Sequence, residues 1–479
     1  MVRTRDPSRV RVAAPACLAA GVLLVMVVWA PATAQEQPQR PQRPAFHDLR
    51  YEEDWSVLKN TALRKDPVDP IKYIELGERS YLSVGGELRG RLDYWRNANF
   101  GHAPAENMNS FLQRYQIHAD WHIGGHVRAF GQFASGLEAG KEGGPWPTDE
   151  DPAEIRQAFL EVGGGSPAEA TRWAVRLGRQ EMAFGQSHFI STADFFNTRR
   201  AFDGIRVQAT RGVLEFNAFL TRPVESQSGA FDDGSDRNQL FGAASVFMPS
   251  PVSKHGRVSV FYINLTTDRW QWERGPGRDE RHMLGLRIAA QETRWDYVYE
   301  VLLQRGTFSE VTPIRAWAVT TDTGYTITSA PRFARVGLRV NITSGDAGHG
   351  SLGTFQPMFP DNAYSGKSGL VGPSNSIDVT PNFLLALSPR IFFIPDVAFF
   401  WRQKTSDGIY GVVSPYLVTP GGFSDSRYVG TQTSLATQIN VTTHLTYTVA
   451  FTHLFDGPFI RDIDGQPTTF LTNFVTYRF

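Results

Sequence analysis

Guanidinium and carboxylate groups recur at every second position in several stretches of this 479-residue chain. In GELRGRLDYW, Glu87, Arg89, Arg91 and Asp93 share one parity, and Leu88, Leu92 and Tyr94 the other. In FLQRYQIHADWHI, Arg114, Gln116, His118, Asp120 and His122 alternate with Tyr115, Ile117, Ala119 and Trp121. Arg335 and Arg339 alternate with Val336, Leu338 and Val340, and Asp296 and Glu300 with Trp295, Tyr297, Tyr299 and Val301. Guanidinium groups bind carboxylates through paired N–H donors. A row of them inside a narrow passage would attract an anionic polysaccharide or a small anionic solute and let it slide. The same charges can instead pair across neighbouring strands and stiffen a wall. Both readings stand for each arginine taken singly.

Catalytic and metal chemistry find less support. The chain has eleven histidines but no HExxH, no G-x-S-x-G and no phosphate-cradling loop. SGKSG at 365–369 lacks the upstream glycine of a Walker motif. His118 and His122 are strand neighbours on one face, not a helical pair, and SGDAGHG at 344–350 reads as turn chemistry rather than a Ca²⁺ loop. We expect no catalytic residue, no metal and no cofactor.

Period-two alternation is the signature of a β-strand. It repeats along nearly the whole chain after residue 81: in VLEFNAFLTR, TRWDYVYEVLLQRG and RFARVGLRVNI, and again over 258–265, 283–291, 382–387, 391–402, 428–439, 445–454 and 470–479. No amphipathic helix of ordinary length interrupts it. The environment that wants charges on one face of every strand and apolar side chains on the other is a membrane barrel with a wet lumen. The N-terminus agrees. Arg3, Arg5, Arg9 and Arg11 precede an apolar run over 12–30, then Ala32-Thr33-Ala34, the layout of a cleaved secretory signal. Cleavage after residue 34 removes Cys17, the single cysteine, and leaves 44 basic against 47 acidic residues. Nothing there points to nucleic acid as a partner. No later apolar run is long enough for a membrane helix, aromatics reach 12%, and the chain ends in FVTYRF.

The organisation expected is a signal segment (1–34), a Pro/Gln-rich linker and N-terminal periplasmic or plug segment (35–80), and an all-β, transmembrane antiparallel β-barrel (81–479) in the bacterial outer membrane, with outer-membrane lipid as its first partner. At about 9–11 residues per strand and as many again per connection, some 400 residues make about 18 strands, or 16 as the alternative.

LGRQEMAFGQSHFISTADFFNTRRAFDGIRV at 177–207 resembles the alginate-export family of outer-membrane barrels, through Gly178-Arg179-Gln180, Phe184-Gly185, Arg199-Arg200 and Phe202-Asp203-Gly204. Ser344-Gly345-Asp346 with Gly353-Thr354-Phe355, and Phe400-Trp401-Arg402 with Asp407-Gly408-Ile409-Tyr410, agree in order. The resemblance implies an 18-stranded barrel with an electropositive constriction through which an anionic polysaccharide passes, and periplasmic export-complex proteins as partners. It adds Arg199, Arg200 and Arg206 to the pore-lining candidates Arg89, Arg91, Arg114, Arg335 and Arg339, with Glu87, Asp93, Asp120 and Glu300 on the same faces. Arg179 is in conflict, because it shares parity with Trp173 and Leu177. Either Arg176 and Gln180 face the lumen and Arg179 lies beyond the membrane, or a bulge near Gly178 switches faces. Asp203-Gly204 reads as a turn. A general or solute-specific uptake porin is the nearest rival function. An enzyme, or an adhesive barrel using its glycine-rich stretches 136–152 and 266–280, is more remote.

Overall fold

The computed structural model describes residues 43–103, 107–165, 169–185, 188–328, 332–361, 368–412, 417–422 and 424–479. The expected signal segment, most of the linker and part of SGKSG lie outside these residues. Eighteen antiparallel strands close into a barrel. They are β1 (Ser80–Arg96), β2 (Asn107–Ile123), β3 (Val127–Ala139), β4 (Asp151–Gly164), β5 (Thr171–Gln180) and β6 (Phe202–Arg211). Next come β7 (Leu214–Glu225), β8 (Gln239–Pro249), β9 (Gly256–Trp272), β10 (Gly275–Gln291), β11 (Trp295–Phe308) and β12 (Thr312–Thr328). The last six are β13 (Phe333–Thr343), β14 (Ser376–Ser388), β15 (Ile391–Arg402), β16 (Tyr428–Asn440), β17 (Leu445–Asp456) and β18 (Thr468–Arg478). Each pairs with its sequence neighbours, and β18 returns to β1 from Glu87↔Arg478 to Arg96↔Thr469, so no edge is left open.

Alternation decides the faces. On β1, Glu87, Arg89, Arg91 and Asp93 are buried inward while Leu88, Leu92 and Tyr94 are exposed outward. Reversing this would place four charges in lipid at about 2–4 kcal/mol each near the midplane. The connections 124–126, 212–213 and 389–390 lie at one end together with the start of β1 and the end of β18, and the long ones (181–201, 344–375, 403–427) at the other. The short-turn end is the periplasmic one. Outward Trp121, Trp173, Trp295 and Tyr477 ring that end, and Tyr94, Phe111, Trp317 and Phe455 ring the extracellular end. The stretch 266–280 is not a loop: β9 and β10 run through it, with only Glu273 and Arg274 between them. The two strands extend above the membrane, with one register shift between Thr267 and Trp270 that moves Trp272 to the inner face.

Two long connections fold into the barrel. Residues 181–201 and 344–361 pack on an inward wall that is apolar in its extracellular half: Phe219, Phe241, Ile263, Met283 and Leu302 meet Met182, Phe189, Ile190, Phe355 and Met358. At about 1.5–3 kcal/mol per fully buried side chain of this size, apolar packing is the main hold on both connections. From the periplasmic side, the residues around Tyr51 enter the lumen, while Ile74–Gly77 turns back to pair with the start of β1. Tyr51 sits edge-on against Phe130 and Phe159, and Arg50 donates to the carbonyl of Phe479 at 3.0 Å.

Candidate functional site

The arginines of β1 and β2 point at the inward connection 181–201. Arg89 donates to the carbonyls of Asp194 (2.7 Å), Phe195 (3.2 Å) and Phe196 (2.7 Å). Arg91 donates to the carbonyl of Phe195 and pairs with Asp93 at 2.9 Å. Arg114 donates to the carbonyls of Asp194 and Phe196, both at 3.0 Å, and to the carboxylates of Glu87 (2.5 Å) and Asp194 (2.7 Å). Arg199 reaches back from the same connection to Asp194, and binds Glu181 at 2.8 and 3.0 Å. One carboxylate, Asp194, therefore stands among three guanidiniums: Arg89, Arg114 and Arg199. Burial alone would raise that carboxyl, but Arg114, Arg199 and Arg89 override it and hold it well below the ordinary range.

The N-terminal segment joins this cluster from below. The Asp48 carbonyl accepts from Arg199 at 2.8 Å. The Tyr51 hydroxyl donates to the Glu181 carbonyl at 2.9 Å and accepts from Arg206 at 3.3 Å. Arg206 also binds Asn217. Asp120 is held by Arg128, which donates to the Tyr51 carbonyl as well. Arg200 donates to the carbonyls of Ser191, Phe359 and Pro360 and stacks on the Phe359 ring, tying the two inward connections together. Glu300 accepts from His188 (2.7 Å) and Thr320 (2.8 Å).

Arg335 and Arg339 are not part of this cluster. They lie on β13, six strands from β1 by the shorter way round. Arg335 binds Asp296, Asp322 and Asn382, whose carboxylates are 30% and 31% exposed. Asp378 lies on the adjacent strand. This wall is open where the Arg89 wall is covered, and acids outnumber bases on it.

The family-type motifs resolve into contacts between extracellular elements. Arg179 is on the outward parity: Arg176 and Gln180 are buried inward, and β5 pairs without a register shift. It lies opposite Asp203 and binds it at 2.9 Å, with Glu154 at 3.3 Å. Asp203-Gly204 is thus no turn but part of β6. Gly204 stands opposite Gly178; both have positive φ, and a Cβ on either would strike a carbonyl of the next strand at 2.2–2.3 Å. Asp346 is gripped by Arg274 at 2.6 and 2.8 Å, so its carboxylate is taken. The Ser344 hydroxyl donates to the Gly353 carbonyl and accepts from the Trp317 N–H, and Gly345 leaves room for Asn375, which a Cβ would meet at 1.9 Å. Asp407 joins the second and third motifs by accepting from the Asp346 N–H and the Thr354 hydroxyl. Arg402, which sequence reasoning gave no role, donates to the carbonyls of Thr405, Asp407, Gly421, Ser424 and Ser426. Its place within the third motif is the only signal the sequence offers.

Among the described residues, Glu154, Asp232 and Asp233 are close enough together to hold a cation. Arg156 and Arg179 already neutralise Asp233 and Glu154.

Residues 80–474 match the sequence profile of the alginate export family. The chain belongs to that family. The fold is that of solved outer-membrane porins. Acinetobacter baumannii OccAB4 superposes with a TM-score of 0.57 at 8% identity, covering 85% of this chain and 100% of its own. Pseudomonas aeruginosa OpdO gives 0.53 at 11%, covering 85% and 98%. P. aeruginosa OccK2 (OpdF), solved in complex with glucuronate, gives 0.53 at 11%, covering 83% and 97%. A comparison with curated proteins finds no match. The protein is a bacterial outer-membrane β-barrel with the fold of solved porins, and its family and fold together support a channel for solutes.

Proposed function

We propose that the barrel passes an anionic saccharide of the uronate type, or a related small anionic solute, by diffusion. One observation carries the reading: the Asp194 carboxylate seated among Arg89, Arg114 and Arg199. The cluster already binds a carboxylate, the one supplied by the inward connection. A uronate carries the same group on each sugar, so it can take the place of the Asp194 carboxylate on the same forked donors when the inward connection withdraws. In this reading Arg91, Arg200 and Arg206 set the position of the inward connection, residues 43–79 act as a periplasmic plug, and Arg335 and Arg339 meet the cargo on the opposite wall. Family membership supports the reading, as does the glucuronate complex of a structural neighbour. Periplasmic export-complex proteins are the partners such a channel would use.

A second reading rests on the β11–β14 wall. There Asp296, Asp322 and Asp378 surround two arginines, which suits small solutes of either sign in a general uptake porin.

Single-channel recording in planar bilayers separates the two. Anion-selective current blocked by an oligouronate and not by a neutral oligosaccharide supports the first. Weakly selective current indifferent to both sugars supports the second.

A further inference from the structure

The lipid-facing surface carries a like-charged pair where the apolar band ends. Arg305 on β11 and Arg315 on β12 are direct cross-strand partners. Both side chains are on the outward parity and exposed, one step beyond outward Leu303 and Trp317. Directly opposed side chains have Cβ atoms about 4.5–5.5 Å apart, and like charges at that spacing repel. Among the described residues neither guanidinium meets a carboxylate. Arg305 donates to the carbonyl of its own neighbour Gln304 at 3.0 Å. The nearest acids are otherwise engaged or at the tip: Glu280 is held by Arg278, which also holds Asp268, and Glu310 lies in the three-residue turn above. The other cross-strand neighbour of Arg305 is His282, which is bonded to the Tyr262 hydroxyl at 2.5 Å.

Depth identifies what could offset the repulsion. The turn 309–311 is short, so Arg305 and Arg315 cannot lean up into a long loop. Outward residues from Trp295 to Leu303 form the apolar band on β11, nine residues or about 26 Å along the strand at ~3.3 Å per residue. The two guanidiniums therefore sit at the headgroup level of the outer leaflet. Two adjacent forked donors at that height match a phosphate, which accepts from both.

We propose that Arg305 and Arg315 form a binding site for the phosphate of an anionic lipid of the outer leaflet, a phosphorylated glycolipid of the lipid A type. The site is on the outside of the barrel and does not depend on the cargo.

The test uses the full barrel in detergent micelles doped with bis-phosphorylated lipid A, or with dephosphorylated lipid A of the same acyl chains, with inorganic phosphate as a third arm. Native mass spectrometry reads retained lipid, and thermal scans read the midpoint. The expected result is retention of the phosphorylated lipid alone, weakened about tenfold or more in R305A/R315A, partly restored in R305K/R315K and unchanged in R257A. Arg257 is an exposed arginine already paired with Glu215. Heat-modifiable migration on gels confirms that each variant is folded. Equal retention of both lipids, or retention unaffected in R305A/R315A, overturns the proposal. A midpoint raised equally by inorganic phosphate overturns the lipid as its source.

Discussion

The Asp194 carboxylate lies 2.7 Å from the Arg114 guanidinium and binds Arg199 as well. It is the inward connection's own anion in a basic cluster. Asp194→Asn removes the charge and keeps the size. Losing one partner of a buried pair costs about 3–5 kcal/mol, less where solvent screens it, and Asp194 is 30% exposed. With about 1–2 kcal/mol lost, the open fraction of the channel rises roughly tenfold. Single-channel closed times check this. Closed times unchanged from the wild type would show that apolar packing alone holds the connection.

Arg402 collects five carbonyls of the connection that follows β15 and lies 4.0 Å from the Phe459 ring. Lysine cannot fork to several acceptors at once. Arg402→Lys therefore leaves buried carbonyls unpaired, at a cost on the order of 3 kcal/mol. The expected phenotype is local: proteolytic nicking within 403–427 while the barrel stays heat-modifiable. Loss of the whole barrel would contradict it.

Gly86 faces the closing seam. A Cβ there would lie 2.3 Å from the Gln116 carbonyl and 2.7 Å from the Phe479 ring. Its N–H donates to the Phe479 carbonyl at 2.8 Å, and the Phe479 N–H donates to the Gly86 carbonyl at 3.0 Å. Gly86→Val should lower the assembled fraction severalfold without affecting synthesis, read as the ratio of folded to unfolded bands on unheated gels. Gly131→Val on β3 is the control, since nothing lies within 4 Å of its Cβ position and its φ is not positive.

Lys72 is fully buried beneath the barrel, with its ammonium 4.9 Å from the Trp55 ring and 5.5 Å from Phe46. Burial outweighs the nearby acids and pushes it down from 10.5 to about 7. The docked segment thus favours the neutral amine. Its contribution to docking is full above pH 10.5, falls as pH drops toward 7, and is constant below that. The slope is at most about tenfold per pH unit. Hydrogen exchange over residues 43–79, measured between pH 6 and 9.5, should slow as pH rises once corrected for intrinsic exchange. Lys72→Met should flatten the dependence. An equally steep profile in that variant would place the titration elsewhere.

Parity made the barrel legible. Each strand named from alternation lies on an observed strand to within two residues at its ends, because lipid and water impose the period-two rule locally. Three features escaped it. Phe219, Phe241 and Leu302 face inward, against the rule, because connections from elsewhere in the chain fill the lumen there. Parity placed Arg89 on the inner face but could not say what it binds, since the Asp194 carbonyl it meets is 105 residues away. Asp203-Gly204 carries a turn-forming dipeptide, yet its glycine serves a close approach between strands and its aspartate a cross-strand pair with Arg179.

The grip of Arg50 on the Phe479 carbonyl, with Arg478 bound to Asp48 and Glu87, joins the segment before β1 to the end of β18. The acceptor that Arg50 needs lies 429 residues further along the chain, just past β18. The segment before β1 finds its full seat only once β18 lies against β1. A docked Arg50 therefore reports, at the periplasmic face, that the cylinder has been sealed.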